Sequence, residues 1–337
     1  MNRSKLFYAA ACQTDQPNPK SRSEIRRSTD ALLALAERAV VGYRPFHDVK
    51  LVVFPEFALA APVYATAEEL AEKLALPAEN EHIERLAEKA RELGCYIQTG
   101  SFLEVDERYR DCVFNTTLLL SPKGETILRY RKVNPWIPWE VHASPHDILN
   151  YEDELFPVAD TDIGRIGTAT CYDWLFPETT RELALKGAEI LVRISAYMDP
   201  WGATAPLDWW TSVNRVRALE NTAFVVAANQ AASAGRYPPF SWPGGSMIVD
   251  YDGRILSQAN PGAGEQIVVG PVSIATLREE RSRRQGHAML AHLRTEAYKE
   301  ARVRRFSRSL RPEDRTVEAL DESIRRSKRR IGFGDET

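Results

Sequence analysis

The sequence predicts a mixed α/β (α+β) protein in which sheets carry helices on their outer faces. Three observations support this. Continuous apolar runs of strand length, such as Val49–Phe54, mark strands covered on both faces. Stretches with helical apolar spacing alternate with those runs. Two further pairs of strand-like segments flank tight turns, Ser121-Pro-Lys-Gly-Glu125 and Asp250-Tyr-Asp-Gly253, so hairpins accompany the βα rhythm.

The elements follow in order. Leu6–Cys12 reads as a first strand and Ser23–Val41 as a helix with apolar residues at Leu32, Leu33, Leu35, Ala36 and Val40. After the strand Val49–Phe54, Thr66-Ala-Glu-Glu69 has the form of a capping box opening a short helix. A helix over Glu81–Leu93 stops at Gly94, because glycine tolerates the left-handed turn that ends helices. Cys95–Glu104, Val113–Leu120 and Thr126–Arg131 are strands. In the second half, strands Phe156–Ala159 and Arg165–Thr170 flank a turn at Thr161-Asp-Ile-Gly164. A helix over Glu178–Lys186 ends at Gly187 before the strand Ile190–Ile194, and a helix over Leu207–Glu220 precedes the strand Ala223–Ala228. Ser246–Val249 pairs with Arg254–Ser257, and Gln266–Val272 is the last core strand.

Composition narrows the function classes. The 337 residues are 44% hydrophobic and 27% charged, ordinary for a globular protein with ample core. A net charge of −3 gives no reason to expect nucleic acid or an acidic surface as partner. Four cysteines (Cys12, Cys95, Cys112, Cys171) show neither CxxC pairing nor zinc-like spacing, which suits reduced thiols in the cytoplasm. The start shows no cleavage-like site, and no stretch approaches the ~20 apolar residues of a membrane span. Neither GxGxxG nor a P-loop is present, which argues against a nucleotide enzyme. From about Arg278 to Arg330 the chain is dense in arginine. Glu296, Glu300, Glu313, Asp314, Glu318, Asp321 and Glu322 are interleaved there, so a salt-bridged helical tail fits better than a nucleic-acid arm. The expected organisation is a domain over 1–280 and an arginine-rich extension over 281–337, packed on its own subunit or on a neighbour.

The chemistry centres on Cys171, which ends the strand Arg165–Thr170 and precedes a helix. A thiol placed there faces backbone N–H groups and a helix dipole, both of which favour thiolate. The same position also suits a buried structural cysteine. A cysteine nucleophile needs a base, an oxyanion stabiliser and an acid for the leaving nitrogen. Glu56 follows the apolar run Leu51-Val-Val-Phe-Pro55, and a carboxylate at the end of a buried strand suits general-base work near neutral pH. Lys132 ends Thr126-Ile-Leu-Arg-Tyr-Arg131, and Glu140 lies within Asn134-Pro-Trp-Ile-Pro-Trp-Glu140, a Pro- and Trp-rich loop that reads as a pocket wall. Tyr64, Trp136, Trp139, Trp174 and Tyr197 are candidate pocket aromatics, with core or interface packing as the alternative. His142 and His146 have i, i+4 spacing but no third ligand nearby, so a metal site is not expected.

Phe54-Pro-Glu-Phe57, Tyr130-Arg-Lys132 and Cys171-Tyr-Asp-Trp-Leu-Phe-Pro-Glu178 together resemble the nitrilase superfamily of carbon–nitrogen hydrolases. The resemblance runs from about residue 5 to 280 and includes Arg217-Ala-Leu-Glu-Asn221 and Gly244-Gly-Ser246. It implies a four-layer α-β-β-α sandwich with two central sheets, assembled into homodimers or larger homo-oligomers. It also implies roles: Cys171 as nucleophile, Glu56 as base, Lys132 and the Tyr172 N–H as oxyanion donors, and Glu140 as a second glutamate that positions substrate. No metal or organic cofactor is implied.

True nitrilases of the family carry Cys-Trp-Glu, whereas here the thiol precedes Tyr172-Asp173. The Arg131–Glu140 loop, Ile190-Leu-Val-Arg193 and Ser195-Ala-Tyr-Met-Asp-Pro200 look closest to the aliphatic amidase and formamidase branch. Phe57 stands where that branch has tyrosine, and His142 and His146 depart from its loop pattern. The expected substrate is a small linear amide, giving ammonia and a carboxylate. N-carbamoyl amide hydrolysis, nitrile hydrolysis and a catalytically idle scaffold remain alternatives. Arg193 and Arg236 are the arginines to watch for a carboxylated carbamoyl substrate.

Overall fold

Two six-stranded sheets account for nearly all the apolar runs in the sequence. The computed structural model describes residues 6–15, 18–198, 203–231, 242–260, 264–302 and 315–331. In chain order the elements are β1 Phe7–Asp15, α1 Ile25–Val41, β2 Val49–Val53, α2 Ala67–Lys73, α3 Glu81–Leu93, β3 Tyr96–Val105, β4 Val113–Leu120 and β5 Thr126–Arg131. The second half supplies β6 Val158–Thr161, β7 Gly164–Thr170, α4 Pro177–Leu185, β8 Ile190–Ser195, α5 Trp209–Asn221, β9 Phe224–Ala231, β10 Met247–Val249, β11 Ile255–Gln258 and β12 Gln266–Val272. Helices α6 Ile274–Arg283, α7 Met289–His292 and α8 Val317–Arg330 follow.

The first sheet is ordered β12-β1-β2-β3-β4-β5, the second β11-β10-β9-β8-β7-β6. Each has a parallel centre, β1-β2-β3 and β7-β8-β9. They join where the C-terminal ends of two interior strands meet, Thr14 and Asp15 of β1 pairing with Gln230 and Ala231 of β9. Strand alternation makes the layers. Phe7, Ala9, Ala11, Leu51 and Val53 face the second sheet, in one core with Ile190, Val192 and Val226. Ala10, Cys12, Val52 and Phe54 point the other way, against Leu32 and Leu35 of α1 and Ile83 and Leu86 of α3. Leu183 of α4 and Trp210 and Ala218 of α5 cover the second sheet. The result is the expected α-β-β-α layering.

Most boundaries agree with the periodicity to within a few residues. The Thr66 hydroxyl accepts from the Glu69 N–H, and Gly94 ends α3 in the left-handed region at φ 64°. The strand expected over Phe156–Ala159 instead begins at Val158, pairing Val158 with Gly167 across the Thr161–Gly164 turn. In the arginine-rich tail, Leu320 of α8 is buried beside Ala67 and Leu70 of α2, and Arg315 donates to the Asp111 carbonyl. Ion pairs Arg325–Asp321 and Arg283–Glu279 join residues one helical turn apart. Residues 303–314 and 332–337 of the expected extension lie outside the described residues. Among the described residues, no helix is long and apolar enough to cross a membrane.

One glycine sets the geometry beside the site. Gly100 sits at a register break in β3 with φ 72°, and a Cβ there lies 2.5 Å from the Pro55 carbonyl oxygen and 2.7 Å from the Ala58 Cβ. That close approach brings the Ser101 hydroxyl to 2.8 Å from the Phe57 N–H, holding Phe57 itself in the left-handed region at φ 58°. Gly100→Ala is expected to cost about 3 kcal/mol, from the left-handed backbone plus overpacking. Chemical denaturation measures this, and a midpoint equal to the parent's excludes the packing argument.

Candidate active site

The site collects at the C-terminal ends of strands from both sheets, where parallel strands leave their loops on one side. Pro55-Glu56 leaves β2, Lys132 leaves β5, Cys171 leaves β7 and Ala196 leaves β8. Glu56, Lys132, Glu140 and Cys171 are all buried.

Lys132 is the hub. Its Nζ donates to Glu56 Oε1 at 2.8 Å and to Glu140 Oε1 and Oε2 at 2.9 and 2.7 Å. Burial pulls the ammonium pKa down, but Glu140, Glu56 and Cys171 outweigh it, and the net direction is up. Lys132 is therefore a fixed positive charge. Burial also opposes ionisation of Glu140, yet Lys132 and His142 hold its carboxyl down at about 2. The Trp136 N–H donates to Glu140 Oε2 at 2.5 Å, and His142 Nε2 stands 3.3 Å from the same oxygen.

Glu56 is oriented from three sides. Asn115 Nδ2 donates to Oε1 and the Ala196 N–H to Oε2, each at 2.9 Å, while Gln230 Nε2 holds the Glu56 carbonyl at 2.8 Å. Its carboxylate is thus aimed by Asn115 of β4 and by the Ala196 N–H just past β8, while Gln230 of β9 fixes its backbone.

Cys171 occupies a left-handed backbone position at φ 47°, a conformation that costs a non-glycine residue energy and throws its side chain out at a sharp turn. Asp173 builds that turn. Its Oδ2 accepts from the Thr170 N–H at 2.9 Å and the Tyr130 hydroxyl at 2.6 Å, and its Oδ1 from the Asn134 N–H at 2.8 Å. The same carboxyl thereby ties the Cys171 turn to the strand and loop that carry Lys132. The expectation of a thiolate-favouring helix N-terminus is corrected here. Cys171–Leu175 is a single 3-10 turn, and α4 begins only at Pro177, so the longer dipole starts six residues beyond the thiol. Burial instead pushes the Cys171 thiol up, Glu56 adds to this, and Lys132 opposes it. The net direction favours the neutral thiol over the thiolate.

The aromatic candidates divide. Trp136 belongs to the Glu140 loop, its ring against Trp139 with centroids 4.6 Å apart. Tyr197 is buried next to Ala196, its N–H bound to Asn229 Oδ1 at 2.7 Å. Tyr172 is half-buried behind the thiol, its ring edge-on to Phe176. Trp174 is a correction: it is wholly buried, donates to the Ala169 carbonyl at 3.0 Å and packs in the core, because the 3-10 turn points it inward. Tyr64 is another, since its hydroxyl donates to the Lys20 carbonyl at 2.6 Å and its ring lies under the Lys73 ammonium at 4.3 Å. Its hydroxyl and one ring face are engaged beside α2. His146 is exposed, whereas His142 is buried against Glu140, so the pair does not converge. Asp199, Pro200 and Arg236 lie outside the described residues. Asn115 and Gln230 escaped notice in the sequence, and Asp173 was read there only as a mark of the branch. The signal for Asn115 is a lone amide in the apolar strand Val113–Leu120.

Comparison with known proteins places the chain. The carbon-nitrogen hydrolase family model matches residues 8–282. A formamidase from Bradyrhizobium diazoefficiens is 31% identical over 274 residues, covering 80% of this chain and 73% of that protein. A carbon-nitrogen hydrolase from Helicobacter pylori superposes with a TM-score of 0.69 at 21% identity, covering 90% of this chain and 100% of the other. An amidase from Nesterenkonia sp., solved with the acetamide moiety of fluoroacetamide covalently added at its active-site cysteine, superposes at 0.64 with 20% identity over 87% of this chain and 96% of its own. The chain belongs to the carbon–nitrogen hydrolase family, and it is an amidohydrolase acting on carbon–nitrogen bonds other than peptide bonds.

Proposed function

We propose that this amidohydrolase cleaves a small linear amide through a thioester on Cys171, releasing ammonia and a carboxylate. The observation that carries the reading is the buried Lys132 ammonium held between the Glu56 and Glu140 carboxylates, at the strand ends where Cys171 is also buried. Glu56 takes the Cys171 proton, and the sulfur attacks the amide carbon. Lys132 Nζ and the Tyr172 N–H hold the oxyanion; the first N–H groups of a helical turn have no partner within it and so are available. Protonated Glu56 passes its proton to the nitrogen, the C–N bond breaks and ammonia leaves. Glu56 then draws a proton from water, whose oxygen attacks the thioester and restores the thiol. Glu140 keeps Lys132 in place and, through the Trp136 N–H, sets the loop that walls the substrate. The covalent cysteine adduct of the Nesterenkonia amidase and the formamidase relatives support this reading.

The same reading takes residues 1–280 as the hydrolase domain and 281–337 as an added extension. It also takes the protein as a cytoplasmic homo-oligomer, for which the buried free thiols and the exposed Leu185 of α4 and Trp209, Val216 and Leu219 of α5 are the support. The test is ammonia release over a panel of short aliphatic amides, N-carbamoyl amino acids and nitriles. Amide-specific release with an acyl adduct on Cys171 by intact mass is the expected result. Turnover confined to nitriles, or a carbamoyl adduct with release of carbon dioxide, overturns the substrate assignment.

A further inference from the structure

Arg193, in the middle of β8, is wholly buried, and the reaction as written above makes no use of it. Its Nε donates to the Ser195 hydroxyl at 3.2 Å and its Nη1 to Asn214 Oδ1 at 2.9 Å, while Nη2 is buried with no hydrogen-bond acceptor. The guanidinium lies over the Trp210 ring at 4.3 Å, with Tyr197 at 5.3 Å and Trp174 at 5.4 Å. Among the described residues no carboxylate forms an ion pair with it. A buried charge normally carries a partner, because water is not there to solvate it. One fixed cation without a resting counter-ion implies an anion that comes and goes.

The surroundings say where that anion forms. Thr170, immediately before Cys171, pairs with Ile194, immediately after Arg193, and Trp174 of the Cys171 turn packs against the guanidinium. Two residues past Arg193, the chain leaves β8 toward the Ala196 N–H that holds Glu56. Counting charges sharpens the point. Lys132 is already matched by Glu140, and when Glu56 takes the Cys171 proton the site's remaining negative charge moves onto sulfur and then onto the oxyanion, with no second cation among these three to meet it.

On the reading that Cys171 is the nucleophile, we propose that Arg193 is the resident counter-charge for the anion that develops at Cys171. It acts from behind the strands, through the protein, and not by touching substrate. The charged and titratable groups facing Cys171 are Glu56 from β2, Lys132 from β5, Glu140 from the following loop and Arg193 from β8. Those facing Arg193 are Cys171, Tyr197, Arg217 of α5 and Glu56. Consistent with the geometry, Arg193 favours ionisation of Cys171, and burial brings the guanidinium itself down to about 10. Arg193 is thus a positioning residue whose lever is charge.

The test measures sulfur directly. Cys171 is alkylated with iodoacetamide across pH in the parent, Arg193→Gln and Arg193→Lys, with adducts located by peptide mass and Cys171→Ala as the blank. The neutral variant is expected to alkylate about tenfold more slowly or worse at neutral pH, with the rate–pH curve displaced to higher pH and kcat falling in parallel. Arg193→Lys, which keeps charge and loses the fork, is expected to stay within about threefold of the parent. Because the neutral side chain relieves an unpaired buried charge, the Arg193→Gln melting temperature is expected to equal or exceed the parent's. Equal alkylation in the parent and Arg193→Gln overturns the proposal, as does an equal loss in Gln and Lys variants, which marks a purely structural role. If Arg193→Gln does not fold, the Lys variant alone decides on the same threefold-against-tenfold scale. Cys171→Ala turnover separates the two readings: retained ammonia release removes the thiol mechanism, whereas its loss with an unaffected Arg193→Gln removes only the counter-charge.

Discussion

Cys171→Ala is expected to abolish turnover, lowering kcat by at least about ten-thousandfold, as removal of a covalent nucleophile does elsewhere. The fold should change little, by less than about 1.5 kcal/mol, because one sulfur is lost from a position whose neighbours are fixed by other groups. Asp173 holds the turn through Thr170, Tyr130 and Asn134, and none of those bonds involves the thiol. Ammonia release and a thermal melt on the same preparation check both halves. Activity within tenfold of the parent takes Cys171 out of the mechanism.

Lys132→Met is expected to damage activity and stability together. Losing an oxyanion donor lowers kcat by about a hundred- to a thousandfold. Two buried carboxylates are then left facing each other, and breaking a buried pair from one side costs about 3–5 kcal/mol. The pH dependence follows in sign. Burial raises the Glu140 carboxyl, but Lys132 and His142 overcome this and hold it at about 2, against 4.5 ordinarily. A carboxyl depressed on folding stabilises the native state above its unfolded pKa, and that contribution is lost as pH falls from 4.5 toward 2. Without Lys132 most of the depression goes, so acid unfolding should begin at higher pH than in the parent. An unchanged acid limb in a pH series of melts refutes the coupling, and a parent-like kcat refutes the oxyanion role.

Much of the fold was legible in the chain because its signals are local. The Gly94 stop, the Thr66 cap and the alternation of β1 and β2 depend on neighbours within a few residues, and the structure repeats them. Strand ends carrying Glu56, Lys132 and Cys171 were readable for the same reason. What those signals do not contain is direction in space. Trp174 and Tyr197 look alike as candidate pocket aromatics and both are buried in one core, yet Trp174 is tied by its indole to the Ala169 carbonyl whereas Tyr197 follows directly on the Ala196 N–H that binds Glu56. Tyr64 looked like a pocket wall until its hydroxyl met the Lys20 carbonyl.

Cys171 shows the division most clearly. By itself the sequence determined that a thiol ends a strand, that Glu56 and Lys132 follow the ends of two others, that Glu140 lies in the loop after Lys132, and that the chain resembles the carbon–nitrogen hydrolases. Only the tertiary structure decided the thiol's state. A strand end before a helix argues for thiolate from short-range dipoles, but the chain buries Cys171 and sets Glu56 beside it, which favours the neutral thiol. The counter-charges, Lys132 and Arg193, come from positions 39 residues before and 22 after it along the chain. Desolvation and Coulomb interactions depend on what the fold brings within a few ångströms, and no local pattern encodes that distance.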